Sequence, residues 1–159
     1  METARQVSVF LENKPGRLAN VLSALAREKV NIVALTVMDS HEHSVLRLVT
    51  NDQARTQQVL QSLGSRYTES DVLLVELRNQ PGALARVCET LAAEHINIEY
   101  AYCSSGGRNG RVLGVFRLSN TEKASRVLAE PLGNSTRRRL ARRPPRDRRS
   151  YNPPSVGAR

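Results

Sequence analysis

Asn13-Lys14-Pro15-Gly16-Arg17-Leu18 returns as Asn79-Gln80-Pro81-Gly82-Ala83-Leu84, and 66 residues separate the two stretches at every matched position. The same spacing relates residues on both sides of this motif. Further matched pairs are Val7 and Leu73, Val9 and Val75, Leu11 and Leu77, Leu25 and Leu91, and Asn31 and Asn97. Self-similarity over this length is typical of a duplicated folding unit, so the chain is predicted to hold two copies of one small domain.

Each copy is predicted to be an α+β unit in the order strand, helix, strand, strand, helix, strand. Alternating apolar residues indicate the strands, and apolar residues at helical spacing indicate the helices. The elements predicted for the first copy span residues 6–12, 15–29, 32–38, 44–50, 52–63 and 66–70. Those predicted for the second copy span residues 72–77, 81–94, 98–104, 111–118 and 121–129.

The second copy has no recognisable last strand, because arginines and prolines stand where the first copy has residues 66–70. In a βαββαβ sheet the last strand lies beside the first. We therefore expect residues 73–77 to lie at an unpaired edge of the sheet.

Proline and glycine indicate where the helices begin and end. Pro15 and Pro81 have the φ of a first helical turn, so the first helix of each copy is predicted to begin there. Asn51 or Asp52 is predicted to cap the second helix, and Gly64 is predicted to end it.

Charge divides the chain near residue 130. The whole chain carries a net charge of +9, but residues 131–159 hold nine arginines and one aspartate, which gives +8. Residues 1–130 hold fifteen basic and fourteen acidic residues, which gives +1. We predict a first domain at 1–70, a second and incomplete domain at 71–130, and a disordered basic tail, because the tail has few side chains to bury. The tail is read either as a functional segment or as the product of a frameshift.

Composition argues against several classes of protein. No apolar run reaches the roughly 20 residues of a membrane helix, and the N-terminus lacks the apolar stretch of a signal peptide, so we expect a cytoplasmic protein. Cys88 and Cys103 are expected to be buried thiols rather than a disulfide framework. His41 and His43 lie on a predicted exposed turn, so we expect no metal site. No nucleophile recurs beside a fixed base, so we predict no catalytic residue, no cofactor and no enzymatic activity.

The repeated motif and the order of elements resemble the ACT domain. The resemblance rests on the N-x-P-G-x-L turn before the first helix, and on Val30-Asn31-Ile32 and Ile96-Asn97-Ile98 after that helix. Residues 8–128 resemble the stand-alone tandem ACT proteins of bacteria, which lack a catalytic domain. The resemblance implies two ferredoxin-like units that associate through sheet edges and helices. In many members a free amino acid binds where two units meet.

The residues of the repeated turn suit an amino acid zwitterion. Glycine lets a ligand approach backbone N–H groups, and the beginning of a helix favours a carboxylate. An asparagine side chain both donates and accepts hydrogen bonds. The resemblance implies that a second asparagine, eighteen residues later, also faces the ligand. The candidate ligand-binding residues are Asn13, Pro15, Gly16, Leu18 and Asn31 in the first copy, and Asn79, Pro81, Gly82, Leu84 and Asn97 in the second.

Purely structural roles for these asparagines stay open. Asn13 and Asn79 would equally close Asx-type turns. Asn31 and Asn97 would equally serve as left-handed residues that end a helix.

Three functional hypotheses follow. The first is a non-catalytic regulatory module of amino-acid metabolism, a homodimer that binds a free amino acid at ACT–ACT interfaces and transmits this binding allosterically. The second is a ligand-free subunit that binds and regulates an amino-acid biosynthetic enzyme such as acetolactate synthase, whose small regulatory subunit begins with a similar unit. The third is an RNA binder with a basic tail, which is disfavoured because the predicted sheet lacks interleaved aromatic residues.

Overall fold

The computed structural model describes residues 1–39, 43–104 and 110–129, without the side chains of residues 39 and 43. The elements of the first unit are β1 (Glu2–Glu12), α1 (Arg17–Arg27), β2 (Ile32–Asp39), β3 (His43–Thr50) and α2 (Gln53–Ser62). β4 (Tyr67–Arg78) belongs to both units. The second unit continues with α3 (Ala83–Ala93), β5 (Ile98–Cys103), β6 (Arg111–Leu118) and α4 (Thr121–Ala129). The predicted α+β class and the predicted order of elements are confirmed.

The strands form one antiparallel sheet in the order β2-β3-β1-β4-β6-β5. The beginning of β4 completes the first unit, because Tyr67 lies opposite Val9 of β1. The rest of β4 starts the second unit, because Leu77 lies opposite Val112 of β6. One long strand therefore joins the two units without a linker.

An apolar core lies under the helices of each unit. The first core joins β1 and β3 to α1 and α2, and its largest fully buried side chains are Leu25, Leu46, Leu48 and Leu60. The second core joins β4 and β6 to α3 and α4, and includes Leu73, Leu91 and Phe116. Thr3 lies opposite Leu73 and shares a strand face with Val7, so both cores lie on the same side of the sheet. The four helices of the described residues therefore cover one face of the sheet, and we call the opposite face the helix-free face.

The first helix of each unit begins two residues later than predicted. The structure starts α1 at Arg17 and α3 at Ala83. Gly16 and Gly82 stand at the N-cap positions with φ of +86° and +82°. The predicted starts at the prolines are wrong, because a residue with positive φ between proline and helix is incompatible with a continuous right-handed helix.

The expected unpaired edge at residues 73–77 is partly covered. β1 begins at Glu2 rather than at residue 6, and its first residues pair with β4. Glu2 lies opposite Leu74 and Thr3 lies opposite Leu73. The prediction is therefore wrong for Leu73 and Leu74, because the N-terminus of the chain takes the place beside them.

The helix-free face also has a buried interior. Its fully or nearly buried residues are Ala34, Val49, Val72, Leu74 and Val115.

The guanidinium carbon of Arg47 on β3 lies 3.9 Å from the ring centroid of Tyr100 on β5. These strands are four positions apart in the sheet, about 19 Å if the sheet were flat. The sheet must curve, because two such side chains do not span that distance.

A pseudo-two-fold axis relates the two units and passes between Arg5 and Asp71. These residues are 66 positions apart, which makes them equivalent in the repeat, and they lie directly opposite each other on β1 and β4. Arg5 Nη1 is 2.9 Å from Oδ1 of Asp71. Both side chains are half exposed, so water screens their ion pair and it contributes little stability.

A side-chain cap of the same kind begins the second helix of each unit. Asp52 Oδ1 accepts a hydrogen bond from the N–H of Arg55 at 2.9 Å, which confirms one of the two predicted caps of α2. Asn120 Oδ1 accepts from the N–H of Lys123 at 2.9 Å at the start of α4.

We expect Asp52→Ala and Asn120→Ala each to lower the free energy of unfolding by about 1 kcal/mol, because each leaves an N–H without its capping oxygen. Chemical denaturation measures the change. Ser23→Ala, at an exposed position inside α1, is the control and should stay within about 0.5 kcal/mol of the wild type. Equal losses in the control and the cap variants would contradict the capping role.

The predicted disordered tail and His41 lie outside the described residues. In the part of the chain that the structure describes, no helix is long and apolar enough to cross a membrane. The described residues also contain no cluster of three or more acidic, histidine or cysteine side chains that would hold a metal ion.

Candidate functional site

Each repeated turn exposes the beginning of a helix. Gly16 and Gly82 occupy the N-cap positions of α1 and α3, and no described side chain caps either helix. Residues 13–16 and 79–82 are all exposed. The first N–H groups of a helix have no partner within it, and the helix dipole favours negative charge there. Both turns therefore have the chemistry expected for binding a carboxylate.

The first turn carries charges that the second lacks. Glu12 Oε2 lies 2.7 Å from Nη2 of Arg17 and 3.2 Å from Nζ of Lys14. Hydrogen bonds from Arg17 and Lys14 hold the pKa of the Glu12 carboxyl below its ordinary value. The residues equivalent to Lys14 and Arg17 are Gln80 and Ala83. The two turns thus present different electrostatic environments to a ligand.

The apolar turn residues also differ between the units. Leu18 is half-buried and packs against the first core. Leu84 has 44% of its surface exposed. Leu18 therefore contributes to the fold, whereas Leu84 is accessible to a ligand or partner. Pro15 and Pro81 are exposed and precede the left-handed glycines.

Asn31 and Asn97 fix the beginnings of β2 and β5 through their backbones. The N–H of Asn31 donates to Oδ1 of Asn51 at 2.8 Å, and its carbonyl accepts from the N–H of Asn51 at 3.1 Å. The N–H of Asn97 donates to Oγ of Ser119 at 3.0 Å, and its carbonyl accepts from the N–H of Ser119 at 3.0 Å. The arrangement is therefore the same in both units.

The left-handed residues that end α1 and α3 are not the asparagines. Lys29 and His95, with φ of +57° and +56°, are the non-glycine residues with positive φ among those described. The helix-ending alternative is therefore wrong for Asn31 and Asn97. The Asx-turn alternative for the turn asparagines stays a prediction.

One chain does not bring Asn13 and Asn31 together. Asn13 follows the end of β1, and Asn31 precedes the start of β2. Leu11 of β1 lies opposite Ser44, which lies opposite Asp39 at the far end of β2. The eight residues of β2 therefore separate the two asparagines, a distance on the order of 20 Å. Asn79 and Asn97 are separated in the same way by β5.

The two edges of the sheet differ in chemistry. On β2, the side chains of Val33, Leu35 and Val37 are 38%, 44% and 43% exposed, and we call this row the apolar edge. The equivalent residues of β5 are Glu99, Ala101 and Cys103, which are also exposed. An edge strand has unpaired backbone groups, and an apolar row beside them favours the addition of another strand. The first unit, and not the second, has such an edge.

The prediction that both cysteines are buried is wrong for Cys103. Cys88 is half-buried on α3, and Cys103 is exposed at the end of the edge strand β5. Cys103 lies on the helix side of β5, opposite Gly114, but β5 is at the edge of the sheet, where the described helices leave it exposed.

Sequence reasoning missed a polar cluster on the helix-free face. Gln6, which is fully buried, is hydrogen-bonded to the hydroxyls of Tyr100 and Tyr102. Arg47 stacks on Tyr100. We call these four residues the cross-face cluster. An arginine inside the apolar run Val45 to Val49, and two tyrosines at period two, are the sequence signals that point to it.

A groove of about 630 Å³ opens away from both turns, at the start of α4. It is lined in part by Thr3, Asp71, Arg117 and Glu122. Asp71 is paired with Arg5, and Arg117 Nε lies 3.2 Å from Oε2 of Glu99. We assign no ligand to this groove, because two of its charged groups are already paired within the chain.

Comparison with known proteins yields one family and several structures. A family model described as an ACT domain pair matches residues 2–135. A protein of Bacteroides thetaiotaomicron is 36% identical, with 79% of this chain and 86% of that chain covered and a TM-score of 0.74. The ligand-free regulatory subunit of aspartate kinase from Thermus thermophilus is 17% identical, with 80% and 95% covered and a TM-score of 0.61. The corresponding subunit from Thermus flavus is 19% identical, with 80% and 89% covered and a TM-score of 0.57. No curated protein matches.

Proposed function

The chain belongs to the family of ACT domain pairs, non-catalytic regulatory modules of amino-acid metabolism, and from this premise we propose that two copies of it bind a free amino acid between them. The observation that carries the proposal is the apolar edge of β2, which leaves three aliphatic side chains in solvent. A second copy of β2, running antiparallel, would cover this row with an identical row. The contact is therefore a homodimer with a two-fold axis near Leu35.

This dimer brings Asn31 of the partner subunit to the end of the sheet that carries Asn13, with β3 and β2, about 14 Å of sheet, between them. In an antiparallel pair centred on Leu35, residue 31 of one β2 lies beside residue 39 of the other. Residue 39 lies at the end of the sheet where β1 leads into Asn13, as the register through Ser44 indicates. Asn31 of the partner subunit would thus lie at the same end of the sheet as Asn13. Each dimer would have two such sites, each composed of residues from both copies.

The chemistry of the composite site suits a zwitterion. The open start of α1 at Gly16 offers backbone N–H groups to a carboxylate. The amides of Asn13 and of the partner subunit's Asn31 offer oxygen acceptors to an ammonium group. We place the ligand in the first unit, because β5 lacks the apolar row that would bring two second units together.

Mixed dimers provide the test of this arrangement. We expect Asn13→Ala and Asn31→Ala each to weaken binding severalfold in a homodimer, because each hydrogen bond is worth about 0.5–1.5 kcal/mol. A mixed dimer of the two variants would hold one site with both changes and one intact site. Mixed dimers purified through two different tags should therefore bind one amino acid per dimer with wild-type affinity. The ligand is first identified by adding each of the twenty amino acids singly in a thermal-shift screen, and affinity is then measured by calorimetry.

The variants Asn79→Ala and Asn97→Ala are the matched controls, and neither should change the affinity. If mixed dimers bind no better than their parents, the site does not combine residues of two copies. If the chain dimerises and no amino acid binds at millimolar concentration, the ligand-free, partner-binding subunit becomes the better reading of the fold.

A further inference from the structure

The cross-face cluster connects the first unit to the second over the helix-free face. Gln6 Nε2 donates to the hydroxyl of Tyr100 at 2.6 Å, and the hydroxyl of Tyr102 donates to Oε1 of Gln6 at 3.0 Å. Arg47 of β3 lies over the ring of Tyr100. Gln6 and Arg47 belong to the first unit, and both tyrosines belong to β5 of the second. These contacts join strands that are not neighbours in the sheet.

The hydrogen bonds of the cluster are specific because they are buried. Gln6 has no exposed surface, and both ends of its amide are occupied by tyrosine hydroxyls. Burial raises the pKa of Tyr102, which keeps its hydroxyl protonated as a donor. A buried amide that loses a partner is destabilised, so Gln6 resists movement of β5 away from β1.

Arg47 is held differently, by contacts with weak directional preference. No described carboxylate lies within ion-pair distance of it, and its Nε is buried without a hydrogen-bond partner in the part of the chain that the structure describes. Its other contacts are Nη1 donating to Sδ of Met38 and the guanidinium stacking on Tyr100. The described contacts of this guanidinium are therefore a thioether and an aromatic face, which attract a cation without fixing its orientation as a bidentate carboxylate does.

Arg47 also touches the strand that carries the apolar edge. It lies directly opposite Thr36 of β2 on one side and Ser8 of β1 on the other. Its partner Met38 is 49% exposed on β2. One side chain therefore contacts the edge strand of the first unit and, across the face, the edge strand of the second.

We propose that Arg47 is a positioning residue that couples β2 of the first unit to β5 of the second. This coupling rests on the proposed function, because the event that starts it is binding of the amino acid and of the second copy at β2. Movement of β2 on ligand binding displaces Met38 and Arg47, and the stacked ring of Tyr100 transfers this displacement to β5. The second unit then acts as the output of a signal received by the first.

The first experiment needs no ligand. Amide hydrogen exchange of the full-length chain is measured by mass spectrometry for the wild type, Arg47→Met and Arg47→Lys. We expect Arg47→Met to accelerate exchange in residues 98–103 at least threefold while leaving residues 17–27 unchanged. Arg47→Lys keeps a cation over Tyr100 and should return exchange to within twofold of the wild type. Arg66→Met, at an exposed position on the segment before β4, is the control and should change neither region.

The second experiment adds the amino acid identified in the thermal-shift screen. We expect it to slow exchange in residues 98–103 at least twofold in the wild type, and to leave Arg47→Met unaffected although that variant still binds. Unchanged exchange in β5 of ligand-free Arg47→Met would overturn the coupling, whether or not any amino acid binds. Binding without a response in β5 of the wild type would overturn it as well. If no amino acid binds, the proposed function fails, and the ligand-free experiment still decides whether Arg47 positions β5.

Discussion

Leu35→Lys is expected to raise the dissociation constant of the proposed homodimer by at least about 100-fold. Leu35 lies at the centre of the apolar edge, and burial of such a side chain contributes about 1.5–3 kcal/mol in each copy. A two-fold axis near Leu35 would also bring the two introduced ammonium groups together. The loss of apolar contact and the repulsion of like charges both oppose association. Sedimentation velocity over a range of concentrations measures the effect.

Ala101→Lys is the matched control for this substitution. Ala101 occupies the position in β5 that Leu35 occupies in β2, 66 residues earlier, and it is exposed. The control should leave the dissociation constant within about twofold of the wild type, because surface substitutions away from contacts usually have small effects. A dimer that resists Leu35→Lys and dissociates with Ala101→Lys would place the contact at β5. A monomeric wild type would remove the composite site altogether.

Phe116→Ala is expected to lower the free energy of unfolding by about 3–5 kcal/mol. Phe116 is fully buried in the second core, on the strand that pairs with β4. Its ring also fills the space beside Gly114, where an added Cβ would come within 2.7 Å of it. Truncation to alanine therefore opens a cavity between β6 and its helices. Chemical denaturation should show the loss, and the melting temperature should fall by roughly 10 °C.

The other phenylalanine of the chain provides the comparison. Phe10 is 45% exposed on the helix-free side of β1. Phe10→Ala should cost about 1–1.5 kcal/mol, less than half the loss for Phe116→Ala, since nearly half of its surface already contacts water. Similar losses for the two variants would mean that the second core contributes much less to stability than its burial indicates.

The fold was largely predictable because the sequence pattern of most elements occurs in both copies of the repeat, so each copy supports the assignment in the other. The strands at residues 44–50 and 111–118 and the cap at Asp52 follow from alternation and side-chain chemistry. The helix starts were misplaced because proline permits a first helical turn, while the φ of the glycine that follows decides whether the helix begins there. Pairing of Glu2 and Thr3 with β4 was not predictable, because no local pattern shows which distant strand covers an edge.

The candidate site was predictable in its residues and not in its geometry. The turns at Gly16 and Gly82 lie at helix starts, as the motif indicates. The distance between Asn13 and Asn31 depends on the direction in which β2 runs. A spacing of eighteen residues in the sequence does not determine that direction. Gln6 was missed because a single glutamine in a strand is usually solvated, and its tyrosine partners are more than ninety residues away along the chain.

The ion pair between Arg5 and Asp71 shows that the two units of the repeat have diverged in sequence. A single unit that paired with a copy of itself would set the same side chain against itself across the two-fold axis, so that an arginine would face an arginine. Opposite charges at this point require two separately encoded halves. Equivalent positions of the repeat have therefore diverged to opposite charge, which a pair of identical units does not allow.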